Sequence, residues 1–88
     1  MPIGPLLNVG FSNFVVADKV IALVGSDSAP MRRLVQNLRA EERIIDCTLG
    51  RRTKSLIFTS DGKVVLSAIT QETLARRLAT GEVGIDEE

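Results

Sequence analysis

The chain has no histidine, no tryptophan and no tyrosine, and it carries one cysteine and three phenylalanines. Without histidine, Ser-His triads and imidazole metal sites are excluded. A single cysteine rules out an intrachain disulfide. Cys47 lies in the apolar run Ile44-Ile45-Asp46-Cys47 and reads as a small buried hydrophobe. The aromatic platforms on which single-stranded nucleic acids stack are missing, since Phe11, Phe14 and Phe58 form no such pattern and each is expected in the core. Neither a Walker-type phosphate loop nor a dinucleotide fingerprint occurs. No apolar run approaches the roughly 20 residues of a membrane span. The N-terminus lacks a basic segment followed by a long apolar one, so the chain reads as cytoplasmic. Most carboxylates fall on helix faces, turns or the C-terminal end; Asp46 is the exception, expected as the buried partner of an arginine. These absences predict no enzyme: no catalytic, metal or cofactor site, no small-molecule substrate and no membrane partner.

What is present is aliphatic. Apolar residues make up 44% of 88 positions while aromatics make up 3%, and a domain of this size has a thin core that association with further copies would supplement. Formal net charge is zero, with 11 basic and 11 acidic side chains, which argues against indiscriminate nucleic-acid binding. The acids are unevenly placed. Glu82, Asp86, Glu87 and Glu88 crowd the end of the chain, leaving a basic body. Residues 1–81 are therefore expected to form a single binding and oligomerisation domain, and 82–88 an acidic, disordered tail that aids solubility, the alternative being competition with phosphate for the basic surface.

Leu6 to Val9, closed by Gly10, reads as a first strand. Asn13 to Val16 and Val20 to Val24 read as a second and a third, with Asp18-Lys19 as a turn joining them in a hairpin. The unbroken run Val20-Ile21-Ala22-Leu23-Val24 predicts a central strand covered on both faces. Asp27 or Ser28 caps a first helix with Pro30 in its opening turn; Met31, Leu34, Val35 and Leu38 form its buried stripe. Arg32, Gln36, Arg39 and Arg43 make a basic stripe whose plainer account is an ordinary solvated surface, with Glu42 partly neutralising Arg39 and Arg43. Ile44 to Thr48 is the next strand. Ser55 to Thr59 and Val64 to Ala68 flank Ser60-Asp61-Gly62-Lys63, a strong hairpin signal because glycine accepts positive φ. A second helix opens at Thr70 with Ile69 and Leu74 as a hydrophobic staple, buries Leu74 and Leu78, and stops at Gly81. Arg76 and Arg77 fall in its last turn, where cations meet the negative end of the helix dipole. The predicted fold is α+β: a mostly antiparallel or mixed sheet of short strands with two helices.

Gly50-Arg51-Arg52-Thr53-Lys54 concentrates three cations where a strand should turn. Fixed on one turn they make a phosphate-binding tip, and duplex DNA gripped by its phosphates suits them better than a single strand. A solvated turn that happens to carry cations is the alternative.

Asn8-Val9-Gly10-Phe11-Ser12-Asn13, Ser28-Ala29-Pro30, Asp46-Cys47-Thr48-Leu49-Gly50-Arg51-Arg52-Thr53 and Leu66-Ser67-Ala68 together resemble the RemA family of small bacterial regulators. The resemblance runs from about the first strand to the second helix. It implies a DNA-binding transcriptional regulator, an activator of genes for extracellular matrix (biofilm) production and of osmotic-stress genes. It also implies a LytTR-like protomer that assembles into a ring-shaped homo-oligomer, an octamer or similar, against which nucleoid DNA lies. On that resemblance Arg51 and Arg52 contact DNA, and Pro30 serves structure or assembly. Lys19 stands where the family usually has arginine, keeping the charge without the planar fork. Lys19, Arg32 and Lys54 are auxiliary positions for DNA or assembly. A non-enzymatic protein–protein adaptor and a small-molecule phosphate sensor are the rival readings.

Overall fold

The computed structural model describes residues 5–81. Its element order is β1 (Leu6–Gly10), β2 (Asn13–Val16), a single 3-10 turn (Ala17–Lys19), β3 (Val20–Gly25), α1 (Ala29–Ala40), β4 (Ile44–Asp46), β5 (Ser55–Thr59), β6 (Val64–Ser67) and α2 (Gln71–Thr80). β3, β5, β6 and β4 form a four-stranded sheet in that order. β5 is antiparallel to both β3 and β6, and β4 runs parallel to β6. The α+β expectation holds, with one parallel pair in the sheet.

Alternation along the two inner strands shows how the layers are built. Leu56, Val64 and Leu66 face α1, which lays Met31, Leu34, Val35 and Leu38 over them with Ile44 and Phe58 alongside. Ile57 and Val65 face the other way, toward Leu7, Val9, Cys47, Ile69 and Leu74. That second layer is made by the β1–β2 hairpin and α2. Polar side chains tie it down: Ser67 Oγ donates to the Val9 carbonyl (2.8 Å) and accepts from Ile69 N (3.0 Å), while Ser55 Oγ donates to the Ile69 carbonyl (2.8 Å). Among the described residues no buried side-chain polar atom lacks a partner.

The helix ends fall where their signals place them. Ser28 caps α1 by accepting from Met31 N, Thr70 caps α2 by accepting from Thr73 N, and Gly81 ends α2 at φ 75°. Pro30 sits in the first turn of α1. The Asp61-Gly62 turn joins β5 to β6 as expected, with Gly62 at φ 83°. The acidic segment 82–88 lies outside the described residues.

Four expectations are corrected. β2 pairs with β1 and not with β3; the hairpin turns at Phe11-Ser12, while Asp18-Lys19 forms the 3-10 turn that carries the chain from one sheet to the other. Among the described residues β3 is an edge strand, because α1 returns the chain to the far side of the sheet and leaves β5 as its one neighbour. A register shift between Val20 and Ala22 leaves Ile21 without a partner and 69% exposed. Asp46 is exposed and spends its carboxylate on Thr48. Phe14 is also exposed, since among the described residues β2 has no sheet neighbour beyond β1. No described helix is long and apolar enough to cross a membrane.

Candidate nucleic-acid interface

The strand directions collect the cations at one end of the sheet. β4 and β5 flank β6 on opposite sides, so the chain between them must pass around the end of β6. Both legs of this crossing are pinned to that strand: Cys47 N donates to the Leu66 carbonyl (2.9 Å) and Lys54 N to the Ser67 carbonyl (2.8 Å). The stretch 48–53 therefore projects as an anchored loop. Its tip is a tight turn in which Arg51 N donates to the Thr48 carbonyl (3.0 Å), with Leu49 at φ 50° and Gly50 at φ 82°. Two successive positive φ values define a type I′ turn, and glycine suits its second position. No heavy atom comes within 4 Å of a Cβ built at Gly50, so conformation and not space requires the glycine.

Asp46 braces the incoming leg. One carboxylate oxygen accepts from both Thr48 N (2.9 Å) and Thr48 Oγ1 (2.6 Å). These bonds, the side-chain one foremost, hold the carboxyl below the usual aspartate range, with a smaller contribution from Arg39. A depressed carboxylate contributes stability that is fully present above the unfolded-state value and is lost as pH falls through the folded one. The loop brace is thus expected to weaken below about pH 4. Asp46→Asn should flatten that acidic limb of a denaturation-against-pH profile; an unchanged limb would remove Asp46 from the loop's support. Cys47, buried beside it, has its thiol pushed up by burial first and the Asp46 charge second, and stays neutral.

The outgoing leg is held just past the end of β3, where Ser26 Oγ donates to the Thr53 carbonyl (2.7 Å). Arg51 and Arg52, both exposed, leave the loop in different company. The Arg51 guanidinium lies over the Phe11 ring, 5.2 Å from its centroid. Arg52 Nη2 approaches Asp27 Oδ1 at 3.4 Å, with side chains 81% and 88% exposed. A contact that solvated is worth little and leaves Arg52 available to another anion.

Beside Arg52 runs an open groove of about 430 Å³. Arg32, Gln36 and Arg39 of α1 line one wall, Arg52 and Thr53 the other, and Leu56 and Leu66 contribute apolar surface. The helix stripe and Arg52 of the loop knot, distant in sequence, thus share one surface. Arg43 departs from the stripe: its Nε donates to the Gly62 carbonyl (2.8 Å) and its Nη1 pairs with Glu41 (3.0 Å), so Glu41 and not Glu42 is its acidic partner. Lys54 opens on a smaller hollow, about 350 Å³, shared with Asp27, Thr70, Gln71 and Glu72. The capped N-termini of α1 and α2 lie at this same end of the sheet, adding their positive dipole ends. Pro30 stands in the opening turn of α1 and lines neither the groove nor the hollow.

Lys19 is elsewhere. It precedes β3, whose first residue Val20 pairs with Thr59, whereas the last, Gly25, pairs with Ser55 beside the loop. Lys19 therefore sits at the opposite end of the sheet, lining an apolar hollow with Phe14, Ile45 and Lys63. Within one protomer it is separated from the arginine surface. Conversely, Arg39, Gln36 and Asp27 share the groove with Arg52, and Phe11 meets Arg51, although sequence order sets them apart. The helical spacing of Arg32, Gln36 and Arg39 was the available signal for two of them.

The family model of extracellular matrix regulatory protein A-like (RemA-like) proteins matches residues 6–78. The chain belongs to the RemA-like family. A protein of Synechococcus sp. is 47% identical over 83 residues, which span 94% of this chain and 93% of that one. One from Maridesulfovibrio salexigens is 49% identical over 81 residues (92% and 94%), and one from Clostridium botulinum is 45% identical over 82 residues (93% and 92%). All three are named as candidate regulatory proteins. The matched span contains every element of the RemA-like fold described above except the last residues of α2.

Proposed function

We propose that this RemA-like chain is a cytoplasmic, nucleoid-associated transcriptional regulator that binds duplex DNA through Arg51 and Arg52, repeated around a ring-shaped homo-oligomer of LytTR-like protomers. The observation that carries the reading is the anchored loop 48–53, which holds Arg51 and Arg52 exposed and sets Arg52 beside the basic face of α1. Loop and helix together offer Arg32, Arg39, Arg51 and Arg52 to phosphates spaced along a backbone. Positive charge of this kind supplies affinity and register, while sequence preference comes from spaced sites and from the ease with which particular steps bend. Genes of extracellular matrix production and osmotic stress are the targets that family membership suggests.

Assembly is supported by the sheet's two bare edges. β3 and β4 are different surfaces at opposite sides of one sheet, with Ile21 69% and Ile45 46% exposed. Contact between two unlike surfaces propagates head to tail and closes into a ring when the rotation allows. One loop grips weakly; several on a rigid ring act at high effective concentration.

Mobility shift and titration with promoter duplex, unrelated duplex and single-stranded RNA test the reading. Duplex binding should fall steeply with salt, log K changing by about −0.9 per log unit of salt for each phosphate neutralised. Affinity indifferent to salt would reject the electrostatic grip. The same exposed apolar edges favour a second reading, a protein–protein adaptor whose arginines hold an acidic partner, and the absence of any shift at low salt would select it.

A further inference from the structure

The β1–β2 hairpin closes in a way its sequence does not favour. Gly10 faces Asn13 across the ladder, so the loop consists of Phe11 and Ser12 alone. Both adopt positive φ, 54° and 61°. This is the type I′ geometry that Asn-Gly satisfies without steric cost and that a bulky aromatic residue resists. Asn13 Nδ2, donating to the Gly10 carbonyl (3.1 Å), helps to fix the turn but does not require an aromatic ring at its tip. The ring is not spent on the core either: Phe11 belongs to neither apolar cluster of the described residues. Its ring lies instead against the Arg51 guanidinium, at 5.2 Å. Backbone strain that persists without benefit to packing is characteristic of sites where geometry serves a ligand.

We infer that Phe11 is a positioning residue for Arg51: the strained turn presents its ring as a platform that fixes the guanidinium for a DNA phosphate. The inference rests on the DNA-binding reading given above. The negative face of the ring attracts the cation, and a guanidinium lying over a ring keeps its N–H edge free for phosphate oxygens. An arginine already restrained loses less rotamer freedom when it binds. The root of the platform is equally defined. Ser67 Oγ holds the Val9 carbonyl, and Lys54 N holds the Ser67 carbonyl, so hairpin and arginine loop hang from the same residue of β6. Arg52, with a solvated carboxylate for company, has no such platform.

Variants of the full chain, assayed as the intact oligomer, test this. Phe11→Leu should weaken duplex binding roughly threefold for each engaged loop, compounding to tenfold or more on a ring, with oligomer size by light scattering unchanged. Phe11→Tyr, which keeps the ring, should bind within about twofold of the parent. The double change F11N/S12G installs the residues that the turn prefers. It should raise the melting temperature and yet weaken DNA binding as much as Phe11→Leu, a pairing that a merely structural role for Phe11 would not produce. In an Arg51→Ala background, Phe11→Leu should add nothing further. Parent protein that binds DNA while F11N/S12G or Phe11→Leu binds equally well would overturn the positioning role alone. Parent protein that binds no duplex at low salt would overturn the DNA reading, and this inference with it.

Discussion

Replacing Arg51 and Arg52 together by alanine is expected to lower duplex DNA affinity by one to two decades per engaged loop while leaving the fold and the proposed oligomer intact. The magnitude follows from the two guanidinium–phosphate bonds that alanine cannot make. A hydrogen bond to a charged group is worth about 1.5–3 kcal/mol; halving that for solvent screening leaves about 1.5–3 kcal/mol for two, or one to two factors of ten. Where several loops of a ring engage one duplex the effects multiply, and binding should disappear at physiological salt. The slope of log K against log salt should flatten too, because fewer phosphates are neutralised. Stability should barely change. Both side chains are exposed, the Arg52–Asp27 contact is solvated, and the backbone bonds that anchor the loop come from Cys47, Arg51 and Lys54 N–H groups that alanine retains. Denaturation midpoint and light scattering verify that the variant is the same particle. Undiminished DNA binding by that particle would move the interface elsewhere, with the α1 wall of Arg32 and Arg39 as the next surface to alter.

Local rules made much of the fold legible. The Asp61-Gly62 turn, the caps Ser28 and Thr70 and the stop at Gly81 each have a residue type matched to a backbone demand, so sequence alone finds them. The errors occur where a local signal competes with topology. Asp18-Lys19 resembles a hairpin turn because its residues suit one, whereas the true turn at Phe11-Ser12 uses residues that do not. Val20 to Val24 resembles a central strand because it is wholly aliphatic; in one protomer it is an edge, and its apolar surface suits a neighbour of the kind an oligomer provides. The arginine loop is visible as charge density, and its link to α1 is not, since only the passage of the chain around β6 brings Arg52 opposite Arg32 and Arg39. Phe11 has no local mark pointing to Arg51, 40 positions along the chain.

Arg77 supplies the opposite kind of prediction, a large loss of stability with the binding surface spared. Its position in the last turn of α2 suggests a surface cation answering the helix dipole, but it is 6% exposed. Its Nη1 donates to the Asn8 carbonyl at 2.9 Å, joining α2 to β1 across 69 positions of sequence. Asn8 is itself a structural pivot: its Oδ1 accepts from Gly10 N (2.8 Å) where the β1–β2 register shifts. Arg77→Ala removes a charge-assisted bond and the packing of a buried aliphatic stem, and takes that donor from a buried carbonyl; the expected cost is about 2–4 kcal/mol. Against a stability of about 5–10 kcal/mol for so small a domain, that is a large share, equivalent to a fall in melting temperature on the order of 10–20 °C. Arg77→Met keeps the stem and loses the bond, so it should recover part of the loss and separate packing from hydrogen bonding. Unfolding is to be followed at one fixed protein concentration, because association contributes to the apparent stability of an oligomer. At low temperature, where Arg77→Ala remains folded, its duplex affinity should stay within a few-fold of the parent. Arg77 lies under the hairpin root and not on the arginine surface. A midpoint unchanged by Arg77→Ala would mean that the clasp between α2 and β1 is held without it.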